Sequence, residues 1–308
     1  MYSQTAKLTT TKSKKNRSKW QYYKYYYLLI APGLLYFALF HYVPMAGLVI
    51  AFKDFKLSQG ILGSEWAGLK WFNLLFAAPD FWVALRNTIL ISFYKLIFGF
   101  PAPVILALLL NEVINPLFKR VVQTVIYFPH FISWVVLGGL MFTILSPDSG
   151  IFAIFGSKSS PLMEPDQFRS LLIWSEIWKE VGWGTVIYLA AITGINPELY
   201  EASKIDGASR FKQVLYITLP SISGTIILLM ILKTGHLLNA GFDQVFILYH
   251  PLVYNVADIL DTYVYRVGLT LGRFSIAAAA GLFKSVVGLL MLLFTNWLAR
   301  RITGQGLW

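Results

Sequence analysis

Three ionisable side chains fall together in an apolar stretch: Glu176, Lys179 and Glu180, interleaved with Trp174, Trp178 and Trp183 and followed by Tyr188. On a helix Glu176 and Lys179 are three apart and Glu176 and Glu180 four apart, so one face holds them all. Charged groups inside a bilayer face a bundle interior or an aqueous cavity. There, indole rings and polar side chains together could bind a polar solute. The same residue types also suit a belt at the lipid headgroups, and at this point both readings stand. Lys233, His236 and Asn239 form a second, sparser polar group.

Other chemistry is absent. The chain has no cysteine, which removes disulfides, thiolate metal sites and thiol nucleophiles together. No lysine follows a glycine, so a phosphate-binding loop of the form G-x-x-x-x-G-K-[ST] is impossible. Neither H-E-x-x-H nor G-x-S-x-G occurs. His41, His130, His236 and His250 are scattered without ligand spacing, and His130 is expected to be a hydrogen-bonded residue within a bundle. Neither a metal centre nor a catalytic triad is expected.

The elements that must position these residues are membrane helices. Of 308 residues 56% are hydrophobic and 13% charged, and the mean hydropathy is +0.60. A soluble domain carries about twice that share of charge, and this much apolar surface is incompatible with a soluble enzyme or a disordered chain. The net charge of +11 points to membrane topology rather than to nucleic acid.

Residues 1–24 form a basic arm with seven Lys or Arg and no acid. The charge-free stretch Tyr25–Phe52 follows, at 28 residues too long for a signal peptide core and long enough to span. It reads as an uncleaved first helix, with Tyr22, Tyr23, Tyr25, Tyr26 and Tyr27 at the headgroup level. Five more apolar stretches are Thr88–Leu110, Val121–Leu145, Val181–Ile195 (long enough only if Leu171–Glu180 begins it), Leu215–Leu232 and Phe274–Ala299. The expectation is an all-α polytopic protein of six transmembrane helices, with residues 25–308 as one membrane domain. With the N-terminus inside, the inner segments 1–24, 111–120, 196–213 and 300–308 hold 14 Lys or Arg against 4 acids. The outer segments 53–87, 146–170 and 234–273 hold 8 against 9. Basic residues are retained on the cytoplasmic side, so both termini are expected there.

The inner loop 196–220 is the most informative segment. Asn196 suits an N-cap and Pro197 the first helical position. Glu198 complements the helix dipole in the first turn, and Gly207 provides the left-handed residue that ends a helix. A helix of about ten residues is marginal in water without packing, so this one needs a partner surface.

Glu201-Ala202-Ser203, then Gly207, Ile217 and Leu219-Pro220, is similar to the E-A-A-x-x-x-G-x9-I-x-L-P signature of ABC-importer membrane subunits, with Ser203 for the second Ala. Leu28-Leu29-Ile30-Ala31-Pro32-Gly33, Tyr36-Phe37 and an Asn87-Thr88 pair opening the second helix resemble sugar-type permeases. Tyr42-Val43-Pro44-Met45 and Ala51-Phe52-Lys53-Asp54-Phe55 resemble the subgroup that imports complex oligosaccharides. The resemblance implies the type I ABC importer permease fold and a non-catalytic subunit of a bacterial cytoplasmic membrane transporter.

It also implies the partners: a second homologous permease, two ATPase subunits that carry ATP and Mg, an extracytoplasmic solute-binding protein that delivers the oligosaccharide, and surrounding lipid. The chain itself would bind no cofactor. The residues implied to couple to the ATPase are Glu198, Glu201 as polar anchor, Ala202, Ser203, Lys204, Asp206, Gly207 and Pro220. Two other classes compete. An ion-coupled secondary transporter would often show repeated halves, and none is found. A membrane enzyme acting on lipid-linked sugars would need an interfacial acid cluster, which only Glu176 and Glu180 resemble.

Overall fold

The computed structural model describes residues 14–148, 150–154, 159–304 and 306–307. The first half of the basic arm, with Lys7 and Lys12, and the outer-loop Lys158 lie outside the described residues. Helix α1, Lys14–Phe37, begins within the arm rather than at Tyr25. It runs on through a π turn at Ala38–Tyr42 and a 3-10 stretch at Ala46–Phe52. The π turn precedes Pro44, whose missing N–H would leave an α-helical carbonyl unpaired. A two-stranded hairpin follows, β1 (Lys53–Asp54) and β2 (Glu65–Trp66), in the register Lys53 to Trp66.

Next come α2 (Lys70–Ala77), α3 (Pro79–Gly99) and α4 (Pro101–Asn111). Helices α5 (Pro116–Tyr127) and α6 (Trp134–Ile144) meet at 99°. The apolar run Val121–Leu145 is therefore not the single straight helix expected of it. Pro129 cannot donate to the helical ladder, and Ser133 Oγ caps a new helix by accepting from Val136 N. Helix α7 is a 29-residue helix, Pro165–Thr193, and the short α8, Pro197–Ile205, follows it. The segment Arg210–Ser221 and helix α9 (Ser223–Gly235) are bent by 59°. A π turn at Val214–Thr218 there precedes Pro220, as the one in α1 precedes Pro44. Helices α10 (Phe242–Leu248) and α11 (Leu260–Tyr265) lie in the long connection to α12 (Phe274–Thr303).

Among the described residues three helices are long and apolar enough to span a bilayer, or five if each bent pair is one span. Helix α7 has the length of a sixth but carries Asp166, Arg169, Glu176, Lys179 and Glu180. It packs on α3, α4 and α5. Glycines permit that approach: a Cβ on Gly182 would collide with the Ile126 carbonyl, and one on Gly184 would sit 2.9 Å from Pro103.

Asn87 and Thr88 do not open a helix. They lie fully buried within α3, which starts at Pro79, and their side chains tie down the connection between α10 and α12. Asn87 Nδ2 donates to the Asn255 and Asp258 carbonyls, and Asn87 Oδ1 accepts from Arg169 of α7. Thr88 Oγ1 accepts from Leu260 N. Arg266 grips Asp258 with both guanidinium nitrogens, at 2.9 and 2.6 Å. The hairpin is pinned to α12 by Ser275 Oγ, which accepts from Phe55 N and donates to the Lys53 carbonyl.

Candidate substrate pathway and coupling loop

Helices α3, α7 and α9 enclose a cleft of two adjoining cavities, about 370 and 360 Å³, that share Lys95, Glu176, Gly99, Pro103, Gly184 and Lys233 as lining. The two polar groups seen in the sequence meet here. Glu176 comes from α7, and Lys233, His236 and Asn239 come from the end of α9 and the turn after it. Tyr188 lines the larger cavity, and Glu180 and Trp183 line the smaller. Trp174 and Trp178 are more than half exposed and line neither cavity.

Lys95, the single charge in the second apolar stretch, organises the cleft. It is buried, ion-paired with Glu176, and donates to the Ala240 carbonyl (2.7 Å) and to Gln244 Oε1 (2.5 Å). Gln244 is fully buried and passes the contact on, donating to the Leu172 carbonyl and Ser175 Oγ of α7. Gly241, with φ +92°, lets the chain pass close to Lys95: a Cβ there would lie 3.0 Å from Nζ. Lys233 is exposed toward the cleft and forms no ion pair among the described residues. Ser92 is on the lining, with its Oγ buried and without a hydrogen-bond partner.

A second network sits at the α5–α6 break. His130 Nδ1 lies 2.8 Å from Glu180 Oε2, and its ring stacks flat on Trp183 at 4.7 Å between centroids. Lys179 is buried, donates to the His130 carbonyl at 2.6 Å, and approaches Glu180 at 3.2 Å. Lys179 thus holds the break in place and does not line the cleft, while Glu180 faces both. The shared helix face of Glu176, Lys179 and Glu180 is divided between two neighbouring helices. Sequence reasoning singled out neither Lys95, the one charge in Thr88–Leu110, nor Gln244, which carries no charge.

The loop 196–220 is built as its residues require. Asn196 Oδ1 accepts from Glu198 N at 3.1 Å, α8 ends at Ile205, and Gly207 takes φ +75°. Ser203, the departure from the signature, has work of its own. Its Oγ accepts from buried Gln213 at 2.9 Å and donates to the Tyr200 carbonyl. Tyr200 Oη meets Thr218 Oγ1 in the π turn at 2.9 Å. Glu198, Glu201, Ala202, Lys204, Ile205 and Asp206 are exposed, Ile205 at 88%. One side of α8 is therefore tied to the segment entering α9, and the rest presents charges and apolar side chains outward.

This is the architecture of a membrane transport subunit, and the chain belongs to the family "binding-protein-dependent transport system inner membrane component", which matches residues 99–304. It is a permease with the type I ABC permease fold, a membrane component without a catalytic role of its own. The chain is 49% identical over 290 residues to the polygalacturonan/rhamnogalacturonan transport system permease protein YteP of Bacillus subtilis (strain 168), covering 92% of this chain and 90% of that protein. It is 47% identical to protein LplB of the same organism, covering 92% and 91%. Among solved structures it matches a bacterial ABC transporter involved in the import of the acidic polysaccharide alginate, with a TM-score of 0.87 and 41% identity over 94% of this chain and 100% of that one. A second match, with a TM-score of 0.86 and 41% identity over 94% and 99%, is the alginate transporter in complex with a periplasmic protein bound to alginate pentasaccharide.

Proposed function

We propose that this chain forms half of the membrane pathway of an ATP-driven oligosaccharide importer, with six spans and both termini in the cytoplasm. Helix α7 is then the sixth span, its Glu176, Lys179 and Glu180 turned to the cleft and to the α5–α6 break. A second permease subunit completes the pathway, two ATPase subunits supply ATP and Mg, and an extracytoplasmic solute-binding protein delivers the sugar. The observation that carries this reading is α8: nine residues, tied on one side to the segment entering α9, with Glu201 and Ile205 exposed and free to seat in an ATPase. ATPase closure would push α8, and the Ser203–Gln213 and Tyr200–Thr218 bonds would pass the displacement to α9, where Lys233 and His236 line the cleft.

The relatives' substrates, polygalacturonan, rhamnogalacturonan and alginate, support a polymeric sugar. Lys233, a cation without a carboxylate partner among the described residues, favours an acidic one. The test is reconstitution with the partner subunits in proteoliposomes and uptake of a set of galacturonate and mannuronate oligomers. ATP-dependent accumulation is expected. Uptake that follows an ion gradient without ATP would refute the reading.

A further inference from the structure

A third cavity, about 570 Å³, lies outside the cleft between the hairpin, α2, the first turn of α3, α11 and the start of α12. Its lining includes Phe55, Trp71, Asp80, Tyr263, Arg266 and Arg273. Trp71 Nε1 is buried and has no hydrogen-bond partner. An indole N–H is a donor only, and a buried donor left unpaired is costly, so a ligand acceptor that reached it from the cavity would satisfy it. Arg266 is held by Asp258 and lies over the rings of Tyr254 and Tyr263, which fixes the wall. Asp80 and Arg273 are exposed, and neither forms an ion pair among the described residues.

The ligand class follows from what is offered and what is withheld. Aromatic faces, one N–H donor, one carboxylate and one guanidinium are the groups that recognise a pyranose: rings for its C–H face, side chains for its hydroxyls or carboxylate. Part of the backbone at the rim is already used: Phe55 N binds Ser275 Oγ, the Lys53 carbonyl accepts from the same oxygen, and Arg273 N binds the Val267 carbonyl. The size lies within the range of small-ligand sites. Asp80 and Lys95 stand on the same helix, α3, about 22 Å apart at 1.5 Å per residue, so this cavity and the cleft are strung along one element.

We propose that this outer cavity binds a pyranose unit of the transported oligosaccharide, making a second sugar station that favours chains long enough to reach it. The proposal rests on the oligosaccharide reading above. The variants are Trp71→Phe, which keeps a ring and removes the N–H, and Arg273→Gln, at an exposed position where folding is not at stake. In the reconstituted transporter, KM for galacturonate hexamer should rise about fivefold in each variant, the loss of one hydrogen bond, while KM for the dimer stays within about twofold. The second readout is 19F NMR of the complex labelled with 5-fluorotryptophan, the Trp71 signal being assigned by its absence in Trp71→Phe. Hexamer should shift that signal.

Wild-type transporter that takes up no oligomer refutes the oligosaccharide reading and this site with it. Normal uptake with the same length profile in both variants refutes the site alone. So does a Trp71 signal that moves on adding sugar-free binding protein and ignores the sugar, because a protein loop then fills the cavity.

Discussion

Lys95 and Glu176 are worth more to each other than either is to the fold. Two charges sequestered between α3 and α7 cost solvation that only the pair and its hydrogen bonds offset. Lys95→Met leaves the Glu176 carboxylate on the cleft wall without its cation, and Gln244 without its donor. Breaking one side of such a pair costs about 3 kcal/mol, toward the lower end because the Glu176 side chain is 26% exposed. The thermal midpoint of the detergent-purified chain should fall accordingly, and Lys95→Met with Glu176→Gln should recover most of the loss. Equal midpoints for the single variant and the wild type would show that the pair is solvated in the membrane.

Half of this site was legible beforehand. A lone lysine in an apolar run and carboxylates on α7 announce buried ionic contacts by their cost alone. Gln244 was not legible, since an amide in a mixed loop looks like any surface residue. Nor was the separation of Lys179 from Glu176, which depends on where α5 breaks.

At the scale of elements, the breaks matter as much as the helices. The run Val121–Leu145 contains no Lys, Arg, Asp or Glu, and overall composition gives no hint that it turns through 99°. The signals were local: a proline at 129 and a serine at 133 able to start a new helix. The loop 196–220 was legible in detail because capping chemistry is short-range. Asn196, Pro197 and Gly207 each do what their types require, whatever the tertiary context. Gly182 marks the opposite case, in which a distant carbonyl decides the residue. Gly182→Val should push α7 off Ile126 and lower the yield of folded chain, while Gly281→Val, where nothing lies within 4 Å, should not. Size-exclusion profiles of the two variants make the comparison.

The lever formed by α8 gives a sharper expectation. Gly207→Pro forces φ near −65° where the chain needs +75°. Glu201→Ala would remove the charge-assisted hydrogen bond proposed for an ATPase-docked α8, about tenfold in ATPase affinity. Both should depress sugar-stimulated ATP hydrolysis without changing the solute-binding protein's sugar affinity. Full stimulated hydrolysis and co-purification in both variants would remove α8 from the coupling path.

For the whole molecule, topology is the first quantity to fix. The absence of cysteine makes it direct: Leu62→Cys at the exposed tip of the hairpin and Lys204→Cys on α8 should react with impermeant maleimide from opposite sides of oriented vesicles. Labelling from the same side would overturn the six-span arrangement. The charge count that motivates this expectation is a property of the full chain, not of any one helix, which is why it could be read before a fold was in hand.

Helix α1 and its continuation to Phe52 have a consequence at the same scale. This long apolar segment is almost wholly unburied by its own chain, and only its last turns, Ala46–Phe52, pack closely on α12. A helix anchored at one end is a tethered arm. Where a second permease stands beside the bundle, the arm meets it at an effective concentration set by the tether rather than by dilution in the membrane. Contacts too weak to pair two free helices would then suffice in combination, holding two subunits by avidity. With each contact weak, such an interface would slide as the pathway opens and closes without the partners coming apart.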